Sequence, residues 1–295
     1  MRGSQGNEHR HRAARQRHKG AQYFPEGNVY LTNDRVSPFL DGAAFIALKA
    51  QAAAGGAAVT IVPMSIKFTH LTAPRTAITE RMLQIGADSG YAFPAGSSQR
   101  PLEAVLGLGR HILGMYLKKH DLDHDIPDDA EALYHRLQSF AENLVGEVER
   151  GLGIDVDGTA ALPSRITKTR ARIHQLHTAP DAAPHPEIDG LAERAILALR
   201  IHGYLTPYLT DCPTIDRYDE TVERISEDFY SRNMPRTGPR RVIARLAAPI
   251  DVRSFASMKS REAIAAITRE METRIQHGID TINTSNDAPG ASLAR

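Results

Sequence analysis

The alternation of apolar and polar positions changes character twice along the chain. In the first seventy residues the apolar positions come in short, dense runs. Leu40 to Ala54 is rich in Ala and Leu, has Asp41 near its start and predicts a buried helix. Gly55-Gly56 stops it, and Ala58 to Lys67 (AVTIVPMSIK), β-branched and apolar, predicts a fully buried strand. Ahead of these lie a basic helical stretch over 8–20 that ends at Gly20, a short strand from Gln22 to Phe24, and the turn signal Pro25-Glu26-Gly27. Val29 to Val36 is mixed and polar and reads as a loop. The order helix, strand, loop, helix, strand predicts a parallel α/β unit.

After about Thr72 the spacing becomes helical throughout. Residues 76–87, 102–119, 128–150, 164–177, 186–206 and 214–232 each carry it, with Pro, Gly and Asp between them. Near Arg240 the pattern reverts. Arg241 to Leu246 alternates like a strand, Ala248 to Val252 leaves it, and Arg261 to Ile282 is a long amphipathic helix. The tail from Ser285 is small and polar and is expected to be disordered. The chain therefore divides into 1–72, an all-helical segment 73–237, a return segment 238–284, and a tail 285–295. The helical segment is large enough for a core of its own.

Composition narrows the partners only slightly. Lys plus Arg number 36 against 35 for Asp plus Glu, and 41% of residues are apolar, as in an ordinary globular protein. The single cysteine, Cys212, excludes an internal disulfide and reads as a small, half-buried apolar residue. Arg2, Arg10, Arg12, Arg15, Arg17 and Lys19 are not followed by the apolar core of a secretory signal. The least polar stretch, Phe39 to Met64, is interrupted by Asp41, Lys49, Gln51 and the Gly pair, too often to span a bilayer.

Phe24-Pro25-Glu26-Gly27 resembles the third conserved block of the phospholipid/glycerol acyltransferases, whose usual form is Phe-Pro-Glu-Gly-Thr-Arg. Pro38-Phe39 with Asp41 to Ala47 resembles the family's Phe, Gly and helix segment. Val59 to Met64, a strand ending in Val-Pro, resembles its fourth block, and Arg241 to Val252 with the following helix resembles the closing segment. The resemblance covers roughly 8–72 and 238–284. It implies an α/β acyltransferase core, incomplete in its N-terminal strands, carrying a large all-helical insert, and a molecule that is helix-rich overall. It implies transfer of a fatty acyl group from acyl-CoA or acyl carrier protein to a lysophospholipid or glycerol phosphate acceptor, as in 1-acylglycerol-3-phosphate acyltransferases. The work would be done in the cytoplasm, at the inner face of the membrane and peripheral to it. No metal or prosthetic group is implied.

By the same resemblance Phe24, Pro25, Glu26 and Gly27 belong to the acceptor site, Glu26 accepting a hydrogen bond from a glycerol hydroxyl, and Pro63 shapes the strand end beside it. A carboxylate beside a phosphate requires flanking cations, and Arg17, Lys19 and Arg35 are the nearest in sequence. Asn28-Val29 stands where the family has Thr-Arg, so Arg35 is the candidate replacement for the missing arginine. The family's first block, His followed at a fixed offset by Asp, has no counterpart ahead of the turn, because His9, His11 and His18 lack the acid. No catalytic residue is therefore assigned. The expectation is either a start that lies upstream, leaving the sheet edge unpaired, or a non-catalytic remnant that acts as a helical interaction or membrane-surface protein.

Other motifs are weaker. His120 to Asp125 and His124 to Asp129 repeat the His-to-Asp spacing in a charged loop, where a metal is a further possibility, but a solvated loop is the better reading. Ile154-Asp155-Val156-Asp157-Gly158-Thr159 mimics a phosphatase motif without the buried strand that its nucleophile needs. The N-terminal cations lack the aromatic and spacing signals of a nucleic-acid module, so no nucleic acid is expected. Leu102, Val105, Leu106, Leu108, Ile112, Leu113, Tyr116 and Leu117 form an apolar stripe, read as core or as a docking face.

Overall fold

Pro63 divides the apolar run that reads as one strand. In the computed structural model, which describes residues 20–27, 29–30, 32–120, 122, 125–127, 129–156, 158–179, 186–204, 207–285 and 289–292, this run forms β1 (Thr60–Ile61) and β2 (Met64–His70). β1 pairs with β4 (Ile250–Asp251), and β2 pairs with β3 (Arg240–Leu246), from Met64 opposite Leu246 to His70 opposite Arg240. A proline has no N–H to offer a ladder, so the pairing shifts there, although the Pro63 carbonyl still accepts from Ala247 N–H at 2.9 Å. Both pairings are antiparallel, which corrects the parallel unit expected from element order. The partner of each strand comes from about 180 residues further along, and local sequence carries no record of that.

The chain folds into two compact units. One joins the chain up to Ala73 with the chain from Pro239 onward, and Pro74–Gly238 forms the other. In the first, α1 (Gly42–Ala52) and α9 (Ser260–Thr284) enclose a core of Ala44, Ala47, Ile250, Val252, Ile267 and Met271, with Phe39, Val59 and Ile61 packed against it. The expected strand Gln22 to Phe24 is irregular chain, and the basic stretch 8–19 lies outside the described residues. In the tail, Pro289–Ser292 makes a short helical turn, and Gly290 N–H donates to Thr69 Oγ1 at 2.9 Å, so this part of the predicted disordered tail is seated on β2.

β2 is buried on an unusual face. Its buried side chains are Ser65, Lys67 and Thr69, with His70 at its end, while Met64, Ile66 and Phe68 are half-buried or exposed. The buried face meets α9. Gly278 permits the approach, since a Cβ there would lie 2.9 Å from Ser65 Cβ, and Ser65 Oγ donates to the Ile275 carbonyl at 2.7 Å. The fully buried apolar strand expected here is thus a strand whose buried side is polar.

The second unit is helical: α2 (Arg75–Ser89), α3 (Pro101–Lys119), α4 (Ala130–Gly151), α5 (Leu162–His177), α6 (Pro186–Gly203), the short α7 (Tyr208–Asp211) and α8 (Ile215–Tyr230). These follow the six helical spans read from spacing to within a few residues at each end. Leu137, Ala141, Leu144, Val145, Ile166, Leu197, Ala198 and Ile201 form its main core, where α4 packs on α5 and α6. Val105, Leu108, Ile112 and Leu117 of the α3 stripe are buried, Leu102, Leu113 and Tyr116 are half-buried, and only Leu106, at 38%, is exposed. Several buried acids are engaged by side chains: Glu149 receives Arg165 through two bonds of 3.0 and 2.6 Å. On α8, Glu223 meets Arg236 at 2.8 Å, Asp219 accepts from Thr237 at 2.6 Å, and Glu220 accepts from Tyr208. The result is helix-rich overall, with two small two-stranded sheets among the described residues.

Candidate functional site

Pro25 at the second position and Gly27 at the fourth favour a tight turn, and Gly27 N–H closes it onto the Phe24 carbonyl at 3.2 Å. Gly27 has φ +71°, a conformation that favours glycine, and a Cβ there would lie 2.5 Å from Leu40 Cδ1, so the Leu40 side chain would have to move as well. The turn is fastened to the segment ahead of α1. Leu40 N–H donates to the Pro25 carbonyl at 2.8 Å, and Ser37 N–H donates to Glu26 Oε1 at 2.7 Å.

The segment from Thr32 to Leu40 is itself held by side chains from distant positions. Val36 N–H donates to Gln276 Oε1 at 3.0 Å, Phe39 N–H donates to Glu272 Oε1 at 2.7 Å, and Gln276 Nε2 donates to the Asp34 carbonyl at 3.0 Å. Glu272 and Gln276 are four residues apart on α9 and so share a face. At the other end Asn33 clamps β2: its Oδ1 accepts from Phe68 N–H at 2.9 Å, and its Nδ2 donates to the Phe68 carbonyl at 2.6 Å. Asp34 forms a buried ion pair with Lys67. A loop whose backbone donors are consumed in this way has few alternatives, so Arg35 stands between two anchored neighbours, Asp34 and Val36.

Each residue expected at the site can now be placed. Glu26 is half-buried, and burial raises its carboxyl above the ordinary value, against the opposing pull of the Ser37 N–H. One of its oxygens is engaged by the loop, so holding Ser37 is a role the sequence reading lacked. Gly27 closes the turn, Pro25 supplies both its bend and its link to Leu40, and Phe24 is largely exposed. Arg35 is half-buried, with its N–H on the Thr32 carbonyl at 3.0 Å. Pro63 is buried at the β1–β2 break and shapes the strand pairing there. Arg17 and Lys19 lie outside the described residues.

Asn33, Asp34, Lys67, Glu272 and Gln276 organise this region and were not singled out by sequence reasoning. Lys67 left a signal: a lysine inside an apolar β-branched run needs a buried counter-charge. The glutamate and glutamine on α9 left none, since a polar helix face looks the same whether it meets water or backbone N–H groups.

The weaker motifs resolve differently. Asp155 is exposed in the loop after α4, where Gly153 has φ +63° and Ile154 N–H caps the Glu149 carbonyl, so it is not at the end of a buried strand. His120 ends α3, and burial followed by the nearby Lys119 lowers its pKa. Asp121, Asp123, His124 and Asp128 of that loop lie outside the described residues. Among the described residues no group of three or more His, Cys, Asp or Glu is arranged to hold a metal. Cys212 is exposed rather than half-buried. No described helix is long and apolar enough to cross a membrane.

No protein-family model, curated protein or solved structure matches this chain.

Proposed function

We propose that the turn at Phe24–Gly27 and the loop from Thr32 to Leu40 are the acceptor side of a glycerolipid-type acyltransferase core, with the helical unit as its insert. The observation that carries the reading is the fastening of a half-buried Glu26 to the loop bearing Arg35, on a backbone locked by Glu272, Gln276 and Asn33. A carboxylate for a hydroxyl and a guanidinium for a phosphate, on one rigid frame, suit a lysophospholipid or glycerol phosphate acceptor.

In the reaction, the acceptor hydroxyl oxygen bonds to the thioester carbonyl carbon of acyl-CoA or acyl carrier protein. The carbon–sulfur bond breaks, and the hydroxyl proton passes through a general base to the departing thiol. Such a base contributes about 10²–10⁴-fold, and none is assigned in this chain. The reading therefore gives this chain acceptor binding with little turnover, at the cytoplasmic face of the membrane.

Titration calorimetry with 1-oleoyl-lysophosphatidic acid below its micellar concentration tests it. Saturable binding is expected, and Arg35→Met should weaken it by about tenfold, the scale of a lost charged hydrogen bond. Absence of saturable binding, or an affinity that Arg35→Met and Glu26→Ala both leave unchanged, overturns the reading.

A further inference from the structure

The backbone groups of the β2–β3 ribbon alternate in direction. Leu71 N–H donates to the Pro239 carbonyl at 3.1 Å, and Ala247 N–H donates to the Pro63 carbonyl at 2.9 Å. In this register the odd-numbered residues of the two strands bond to each other, and the even-numbered ones turn their N–H and C=O groups outward. The outer edge of β2 is stopped, because Asn33 occupies both groups of Phe68. The outer edge of β3 is open. The outward backbone groups of Val242, Ala244 and Leu246 have no partner among the described residues, and all three residues are exposed. A row of outward donors and acceptors on an exposed strand is a template for a further strand.

The side chains of β3 make it complementary to itself. With Ala244 opposite Ala244 of a second, antiparallel copy, the outward groups of Val242 meet those of Leu246, and every open N–H and C=O of the three residues is used. Val242, 57% exposed, then gains Leu246, 66% exposed, as its cross-strand neighbour on the apolar face. On the other face Arg241 lies opposite Ala247 and Arg245 opposite Ile243. Sliding the copy by two residues one way sets Arg241 opposite Arg245, and the other way sets Arg245 opposite Arg245. Like charges directly across a ladder are destabilising, so the centred register is preferred over its neighbours. Space also permits it. Helix α9 closes on β2, where Gly278 meets Ser65, so the two copies of α9 would stand about three strand spacings, or roughly 14 Å, apart. That exceeds the separation of packed helices.

We propose that the open edge of β3 takes β3 of a second copy of this chain, antiparallel and centred on Ala244, so that the two ribbons form one sheet across a two-fold axis. The same edge on both copies is what a closed, symmetric dimer requires. This pairing needs nothing from the acyl-transfer reading, so either can fail alone.

Sedimentation equilibrium of the full chain over a range of micromolar concentrations should show a reversible monomer–dimer equilibrium. Ala244→Pro removes an N–H that points outward and takes no bond from the β2–β3 ladder, as proline on an edge strand allows. It should abolish the dimer and leave the circular dichroism spectrum unchanged. Val242→Lys with Leu246→Lys, at two exposed side chains, sets lysine opposite lysine in the centred register and should abolish the dimer as well. This double variant decides alone if Ala244→Pro does not fold. The register has its own readout. In a Cys212→Ser background, Ala244→Cys should give a disulfide-linked dimer on oxidation, because the two residues face each other within reach of a disulfide. Leu246→Cys, opposite Val242 of the second copy, should not. A chain that stays monomeric at every concentration, a dimer that survives the lysine variant, or cross-linking at 246 as complete as at 244 overturns the proposal.

Discussion

Lys67 and Asp34 form an ion pair from which water is excluded, their side chains being 0% and 2% exposed. The pair ties the centre of β2 to the loop that carries Arg35. Removing one partner strands the other charge in a dry site, which typically costs about 3–5 kcal/mol, whereas replacing both with apolar groups is often neutral. Lys67→Met is therefore expected to lower the urea midpoint strongly, and Asp34→Leu with Lys67→Met to restore most of the loss. A single Lys67→Met variant as stable as the parent would contradict the pairing.

Glu26 gives a pH signature. Its carboxyl is raised above 4.5, mainly by burial, with the Ser37 N–H acting in the opposite direction. The folded protein thus holds this proton more firmly than the unfolded chain, so the stabilisation is complete below 4.5 and is lost as pH rises through the folded value. Glu26→Gln removes the charge and keeps an acceptor for Ser37. Its stability should equal or exceed the parent's at pH 7 and should lack this component of the decline above pH 4.5. Glu26→Ala leaves the Ser37 N–H without this acceptor and should cost about 1–2 kcal/mol. Urea denaturation of the three proteins at pH 4, 5, 6 and 7 distinguishes these outcomes.

Gly27→Ala meets both a left-handed backbone and the Leu40 side chain. The conformational part alone is about 1–2 kcal/mol. Gly27→Asn, which tolerates that conformation better, should be milder in backbone terms, but it must still displace Leu40. Combining Gly27→Ala with Leu40→Ala is expected to relieve the clash and not the backbone strain, so recovery in thermal denaturation should be partial.

Gly278→Ala tests how closely α9 approaches β2. The added methyl would meet Ser65, and overpacking of this kind costs about 1–3 kcal/mol. Ser65→Gly opens the space but sacrifices the Ser65 Oγ bond to the Ile275 carbonyl. The double variant should therefore be more stable than Gly278→Ala alone and less stable than the parent. A Gly278→Ala protein that melts with the parent would show that α9 shifts freely on the ribbon.

Elements that depend on near neighbours were legible in the sequence. The six helical spans of the second unit, α1 with its Gly55-Gly56 stop, β3 and α9 all follow from apolar spacing and local breakers, which act over one or two turns of chain. The turn at Glu26-Gly27 was legible for the same reason, since Pro25 and Gly27 suit their positions in it without help from elsewhere. Where sequence reasoning failed, the deciding partner was remote. The Ala58 to Lys67 run looked wholly buried because its apolar residues suggest packing on both faces, but the buried face is the one with Ser65, Lys67 and Thr69, selected by α9 and by Asp34.

By itself, then, the sequence determined the long helices of the described residues, where they stop, and that a glycine turn precedes a short apolar α/β stretch, because backbone preference and hydrophobic period are local properties. Only the tertiary structure decided that the strands run antiparallel, that Glu26 holds Ser37, that Glu272 and Gln276 lock the loop of Arg35, and that an apolar face of the ribbon meets solvent. Each of these depends on residues between 11 and 242 positions apart, and a pairing at that range is set by the free energy of the whole packed unit rather than by any window of the chain.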